Sequence, residues 1–85
     1  MPTMRMVLNE ICGKPGITPM ELSKRIADFP VSSAMEVMKL LQDCRILALQ
    51  GSGMLTGMIP IYPDVSTCVH ALQRNAGIEP DLEIK

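Results

Sequence analysis

Aromatic side chains are nearly missing from this sequence: Phe29 and Tyr62 are the only two among 85 residues, and there is no tryptophan. Single-stranded RNA is read largely by stacking its bases on exposed rings, and two rings make a poor platform for that. Histidine occurs once, as His70, and the three cysteines, Cys12, Cys44 and Cys68, are scattered without a Cys-x-x-Cys. Zinc needs His and Cys ligands at short spacing, and the nearest pair, Cys68 with His70, points to different faces of a helix. No metal and no other cofactor is therefore expected. The odd, dispersed thiols read as small reduced hydrophobes of a cytoplasmic protein. No apolar run approaches the roughly 18–20 residues that span a membrane, so no membrane partner is expected. Met1–Glu10 lacks the charged and then apolar layout of a signal peptide, and Met1-Pro2 reads as the initiator pair of a full-length chain. Catalytic signatures are missing too: there is no Ser/His/Asp spacing, Gly-x-Ser-x-Gly, phosphate loop or paired carboxylate cluster, so no enzyme is expected. Finally, neither sign of charge dominates, with eight basic and nine acidic residues for a net charge of −1. A nucleic-acid partner would then have to meet charge sorted onto one face, because there is no general excess of it.

What is present is apolar and helical in period. Hydrophobic residues make up 47% and charged residues 20%, which places the chain among globular rather than disordered sequences. Eighty-five residues make one domain of modest core, which gains stability by dimerising. Met4, Val7, Leu8, Ile11 and Cys12 recur at helical spacing behind a Thr3 cap, and Gly13-Lys14-Pro15-Gly16 ends that helix. A second helix opens on Ile17-Thr18-Pro19-Met20-Glu21. Thr18 is its N-cap, Pro19 its first residue and Glu21 the third, a capping box with Ile17 stapled to Leu22. Leu22 and Ile26 face inward, and the helix ends near Ala27. The third helix runs from Val31 to Cys44, with Ala34, Val37, Met38 and Leu41 inward and Ser33 with Glu36 as a further capping box. Ile46–Gln50 and Met58–Tyr62 read as two short strands around a Gly-rich tip, the second limited by Pro60. Asp64 caps a last helix with Val65, Cys68, Val69 and Leu72 inward, ending near Asn75-Ala76-Gly77. The domain is thus expected over residues 1–77, with an acidic tail over residues 78–85 that is either frayed or bound to a partner.

The segment Gly16–Ile26, GITPMELSKRI, resembles the first helix of the helix-turn-helix in MarR-like regulators. There a Thr or Ser cap is followed by Pro or a similar residue, an acid, then Leu-Ala and a basic pair. Val31–Gln50, VSSAMEVMKLLQDCRILALQ, is similar to a recognition helix running into the first wing strand. Over about Met4–Tyr62 the chain thus resembles the winged helix-turn-helix family of small transcriptional regulators, in the order α-α-α-β-β-α, mainly α with a small β-hairpin. The resemblance implies a regulator that binds double-stranded DNA, located in the cytoplasm (on the nucleoid if bacterial or phage, in the nucleus if eukaryotic). It implies that the third helix enters the major groove with Ser32, Ser33, Met35, Glu36, Lys39 and Gln42 as the contact set. Lys24, Arg25, Lys39, Arg45 and Lys14 would hold phosphates, and Thr18 would add the amino end of its helix. Such domains act as homodimers, here through the first and last helices. Arg45 stands where the family usually has Gly, implying a blunter helix exit, and Gly51–Gly57 carries no Lys or Arg for a basic wing. Winged helices that bind protein share this arrangement, as adaptors, inhibitors or assembly modules. Near-neutral charge, a non-basic wing and Met35 on the presumed reading face fit that alternative. A continuous positive face along the third helix distinguishes the first reading, and a mixed apolar face the second.

Overall fold

A computed structural model describes residues 2–51 and 56–84. Among these the chain forms four helices and one antiparallel strand pair: α1 (Met4–Gly13), α2 (Pro19–Arg25), α3 (Val31–Asp43), β1 (Leu47–Gln50), β2 (Gly57–Pro60) and α4 (Val65–Ala76). The expected hairpin tip at 52–55 lies outside the described residues.

Local chemistry explains most of the boundaries. Thr3 caps α1 by accepting from the Met6 amide (3.2 Å), Thr18 caps α2 through Glu21 (3.3 Å), and Asp64 caps α4 through Thr67 (2.7 Å). Gly77 ends α4 with φ +63°, its amide donating to Gln73 O (2.9 Å), a left-handed exit that glycine adopts without a Cβ penalty. α2 is shorter than its periodicity suggests, because Ile26 already has extended backbone. β2 ends at Pro60, two residues short of the expected Tyr62, although Ile61 N still donates to Ile46 O (2.9 Å) just beyond it.

β1 and β2 pair from Leu47 with Pro60 to Gln50 with Gly57. Met58 also pairs with Ile17 on its other side: Gly16 N donates to Met58 O (2.8 Å) and Met58 N to Ile17 O (3.0 Å). This contact needs the backbone of the α1–α2 loop to lie against Gly57, where no side chain fits: a Cβ there would sit 2.0 Å from Gly16 O.

The core is continuous. α1 packs on α4, α2 on α3, and the inward stripes expected from the sequence are buried, including Leu8, Ile11, Leu22, Leu41 and Leu72 at 0% exposure, except for Cys12 and Val65, which are half-buried against the core. Phe29 is buried in the α2–α3 turn, where its carbonyl accepts from Ser23 Oγ (2.6 Å). Burial raises the thiol pKa of Cys12 in α1, and that of Cys68 in α4 is pushed up to about 12, by burial first and then by the neighbouring Cys12.

The tail is not frayed. Arg5 N donates to Pro80 O (2.9 Å), Ile84 N donates to Pro2 O (2.9 Å), and Thr3 bridges Glu83. Pro80 is fully buried, and the Arg5 guanidinium clasps Asp81 at 2.6 and 3.2 Å. The segment after α4 therefore folds back as a strap across the start of α1. Among the described residues no helix is long and apolar enough to cross a membrane.

Candidate nucleic-acid interface

The unit α2–turn–α3 carries most of the residues marked by the sequence. Thr18 is half-buried, and its hydroxyl is engaged in the α2 cap. The reciprocal half of the expected box is absent, because the Glu21 carboxylate turns to Lys14 and to Arg25 (3.4 Å) instead. Those partners, Lys14 above all, hold the Glu21 carboxyl below its ordinary pKa. Arg25 also reaches Glu10 (3.5 Å). Lys14 and Arg25 are thus committed to carboxylates, which weakens both as phosphate ligands.

α3 starts differently from the sequence reading. Its N-cap is Pro30, with φ −62° and ψ 156°, and no side chain caps it. Ala34 N donates to Pro30 O (3.0 Å), so the first helical bond closes before Ser33 can act as a cap. The Ser33–Glu36 capping box is therefore not formed. Pro30, pre-set in φ and lacking an amide, starts the helix three residues earlier than Ser33 would. The amides of the first turn, beside the Ser32 and Ser33 hydroxyls, lack a side-chain acceptor, and Glu36 is exposed and uncommitted.

The exposed side of α3 follows from its inward stripe. Ser32, Glu36, Lys39 and Asp43 are all exposed and, at i, i+4, i+7 and i+11, form one outer ridge. Met35 (57% exposed) and the half-buried Gln42 flank it on one side. Ser33 and Leu40 flank it on the other, turned toward the strap. The sequence reading assigned Leu40 to neither face. Its placement depends on the strap, which helical period cannot reveal.

α3 ends sharply, contrary to what Arg45 in place of Gly suggested. Arg45 takes φ +61°, and the exit is a Schellman motif, with Ile46 N donating to Leu41 O (2.9 Å) and Arg45 N to Gln42 O (3.0 Å). Burial of Ile46 anchors the turn, and Asn75 Nδ2 caps the Cys44 carbonyl (3.0 Å). Arg45 remains exposed, with no ion pair to Asp43.

The cations sort clearly. Arg5, Lys14 and Arg25 are held by carboxylates, whereas among the described residues Lys24, Lys39, Arg45 and Arg74 make no ion pair. Three of these four lie on α2, α3 and the α3–β1 turn. The described residues include no group of three or more His, Cys, Asp or Glu side chains placed to hold a metal ion. No buried side-chain polar atom lacks a hydrogen-bond partner among them. No family model, curated protein or solved structure matches the chain.

Proposed function

We propose that the chain is a winged helix-turn-helix domain that binds double-stranded DNA through α3. The observation that carries this reading is the sorting of cations: those without an internal partner concentrate on the α2–α3 unit, beside a solvent-exposed ridge of α3. The element order supports it, as does the pairing of Ile17 with Met58, which adds a one-residue third strand between α1 and α2 to the strand pair. In this reading Lys24, Lys39 and Arg45 contact phosphates. Ser32, Met35 and Glu36 face base edges, where a hydroxyl donates or accepts, a thioether meets a thymine methyl and a carboxylate accepts from cytosine. Gln42, half-buried, stands at the edge of that set.

Three phosphate contacts set a modest electrostatic contribution, a slope of log K on log salt of about −2.7 per protomer and twice that for a dimer. α1 and α4 spend their inner faces on each other. A homodimer through these helices would use outward residues such as Met6, which is 44% exposed.

The test is anisotropy of a pool of random labelled duplexes with the purified chain, at low and physiological salt, with Lys39→Ala in parallel. Binding with that salt slope, weakened by the substitution, is expected; no binding at low salt ends the reading. One observation favours the protein-binding alternative. The ridge pairs one ammonium, Lys39, with two carboxylates, Glu36 and Asp43, beside the exposed Met35 thioether. If the duplexes fail, Met35→Glu used against candidate protein partners tests that face next.

A further inference from the structure

The strap and α3 do not close on each other. Between them lie two adjoining cavities, one of about 410 Å³ and one of about 170 Å³, which share Met4, Leu40 and Ile84 as walls. The larger falls within the range of about 300–1,000 Å³ typical of ligand sites. Its lining is largely apolar, from Met4, Ile78 and Ile84 together with Leu40 and Leu82, which are 39% and 66% exposed. Glu36 joins the smaller cavity, and Glu79 and Glu83 line the larger. No Lys or Arg lines either one among the described residues, and the nearby Arg5 is held by Asp81.

We propose that this slot receives an amphipathic segment of a partner protein, apolar on the side it buries and carrying Lys or Arg on its edges. The apolar lining with two exposed leucines fixes the first half of that chemistry. The three carboxylates, with no Lys or Arg lining the slot among the described residues, fix the second. A nucleic acid suits the larger cavity poorly, because its phosphates would face the like charges of Glu79 and Glu83. A helix presenting apolar residues at i, i+4 and i+7 fits a groove between a helix and a strap. The slot lies on the flank of α3 away from Met35, so it extends the DNA reading and does not depend on it.

The probe is a 14-residue helical peptide with Leu at those positions and Lys on both edges. Its control has Glu in place of each Lys. Each is titrated into the full, isotope-labelled chain and followed by amide chemical shifts. The Leu/Lys peptide is expected to shift Leu40, Ile78, Leu82 and Ile84 with a Kd on the order of 10–100 µM, and the Leu/Glu peptide to bind at least about tenfold more weakly. Leu82→Ser, at an exposed position, is expected to weaken the Leu/Lys peptide at least about tenfold while leaving the thermal midpoint and duplex binding unchanged. Glu79→Lys with Glu83→Lys reverses the preference between the peptides. Equal affinity for the two peptides, or shifts confined to other residues, overturns the proposal. So does concentration-dependent self-association that Leu82→Ser abolishes, which gives the slot to a second copy.

Discussion

Gly57→Ala is the sharpest test of how this fold is closed. The added Cβ would lie 2.0 Å from Gly16 O, 2.6 Å from Gly16 C and 3.1 Å from Gly16 Cα. All three are backbone atoms, so no rotamer change relieves the clash and the α1–α2 loop must move away from β2. That displacement puts at risk the hydrogen bonds Gly16 N to Met58 O (2.8 Å) and Met58 N to Ile17 O (3.0 Å). Two backbone bonds at about 1 kcal/mol each, with about 1–3 kcal/mol for overpacking, give a loss of about 3–5 kcal/mol. A chain of 85 residues has about 4–13 kcal/mol in total, so the variant is expected to be marginal or unfolded. Urea unfolding followed by far-ultraviolet circular dichroism measures this, with Gly13→Ala as control. At Gly13, the last residue of α1, an added Cβ meets nothing within 4 Å. Alanine should there gain up to about 0.5–1 kcal/mol. If Gly57→Ala lies within about 1 kcal/mol of the parent, the loop does not approach β2 as described.

Arg45→Gly separates stability from binding: the left-handed conformation costs a non-glycine residue about 1–2 kcal/mol, part of it offset by glycine's greater chain entropy, so a net gain of about 0.5–1 kcal/mol is expected in urea melts. The same variant should bind duplex DNA more weakly; a stability loss would contradict the Schellman exit, and unchanged binding would remove Arg45 from the contact set. Truncation after Ile78 removes two backbone hydrogen bonds and the burial of Pro80, an expected loss of about 3 kcal/mol, whereas a frayed tail would be removed at no cost. Acid should destabilise the chain. Asp64 is held below its ordinary pKa by the Thr67 amide, Asp81 by the hydrogen bond from Arg5, and Glu21 by Lys14. Depressed carboxylates contribute stability above their unfolded pKa and lose it as pH falls through the folded value. Thermal midpoints are therefore expected to be flat from about pH 7 to 5 and to fall below about pH 4. Midpoints that hold steady down to about pH 2 would contradict those pairings.

The features legible in the sequence were the local ones. Thr3, Thr18 and Asp64 are caps because a short oxygen beside the first turn needs only its own amide neighbours, and Leu22, Val37, Leu41 and Leu72 are core because helical period alone puts them on one face. Pro30 shows where local reading fails: Ser-x-x-Glu is a valid box, yet a proline three residues upstream had already set the helix start. The Arg45 exit was misread because residue type was weighed without the burial of Ile46, which holds the turn. The strap, the Ile17–Met58 bridge and the placement of Leu40 were not legible. Each depends on a partner distant in the chain, and a single paired residue leaves no period. Of the candidate site, the exposed Ser32, Met35, Glu36 and Lys39 could be read from the sequence. The capture of Lys14 by Glu21 could not, because it crosses from the α1–α2 loop onto α2, whereas the Glu21–Arg25 pair sits at the i, i+4 spacing that helical period does predict.

The bond between Ile84 N and Pro2 O has a topological consequence. It brings Pro2 and Ile84, the first and last described residues, side by side, so the described part of the domain is close to a closed loop. A short linker from Ile84 to Pro2 would permit circular permutation, with new ends in a surface turn such as Ala27–Asp28. The domain could equally be spliced into a surface loop of a host protein, entering and leaving through nearly the same point.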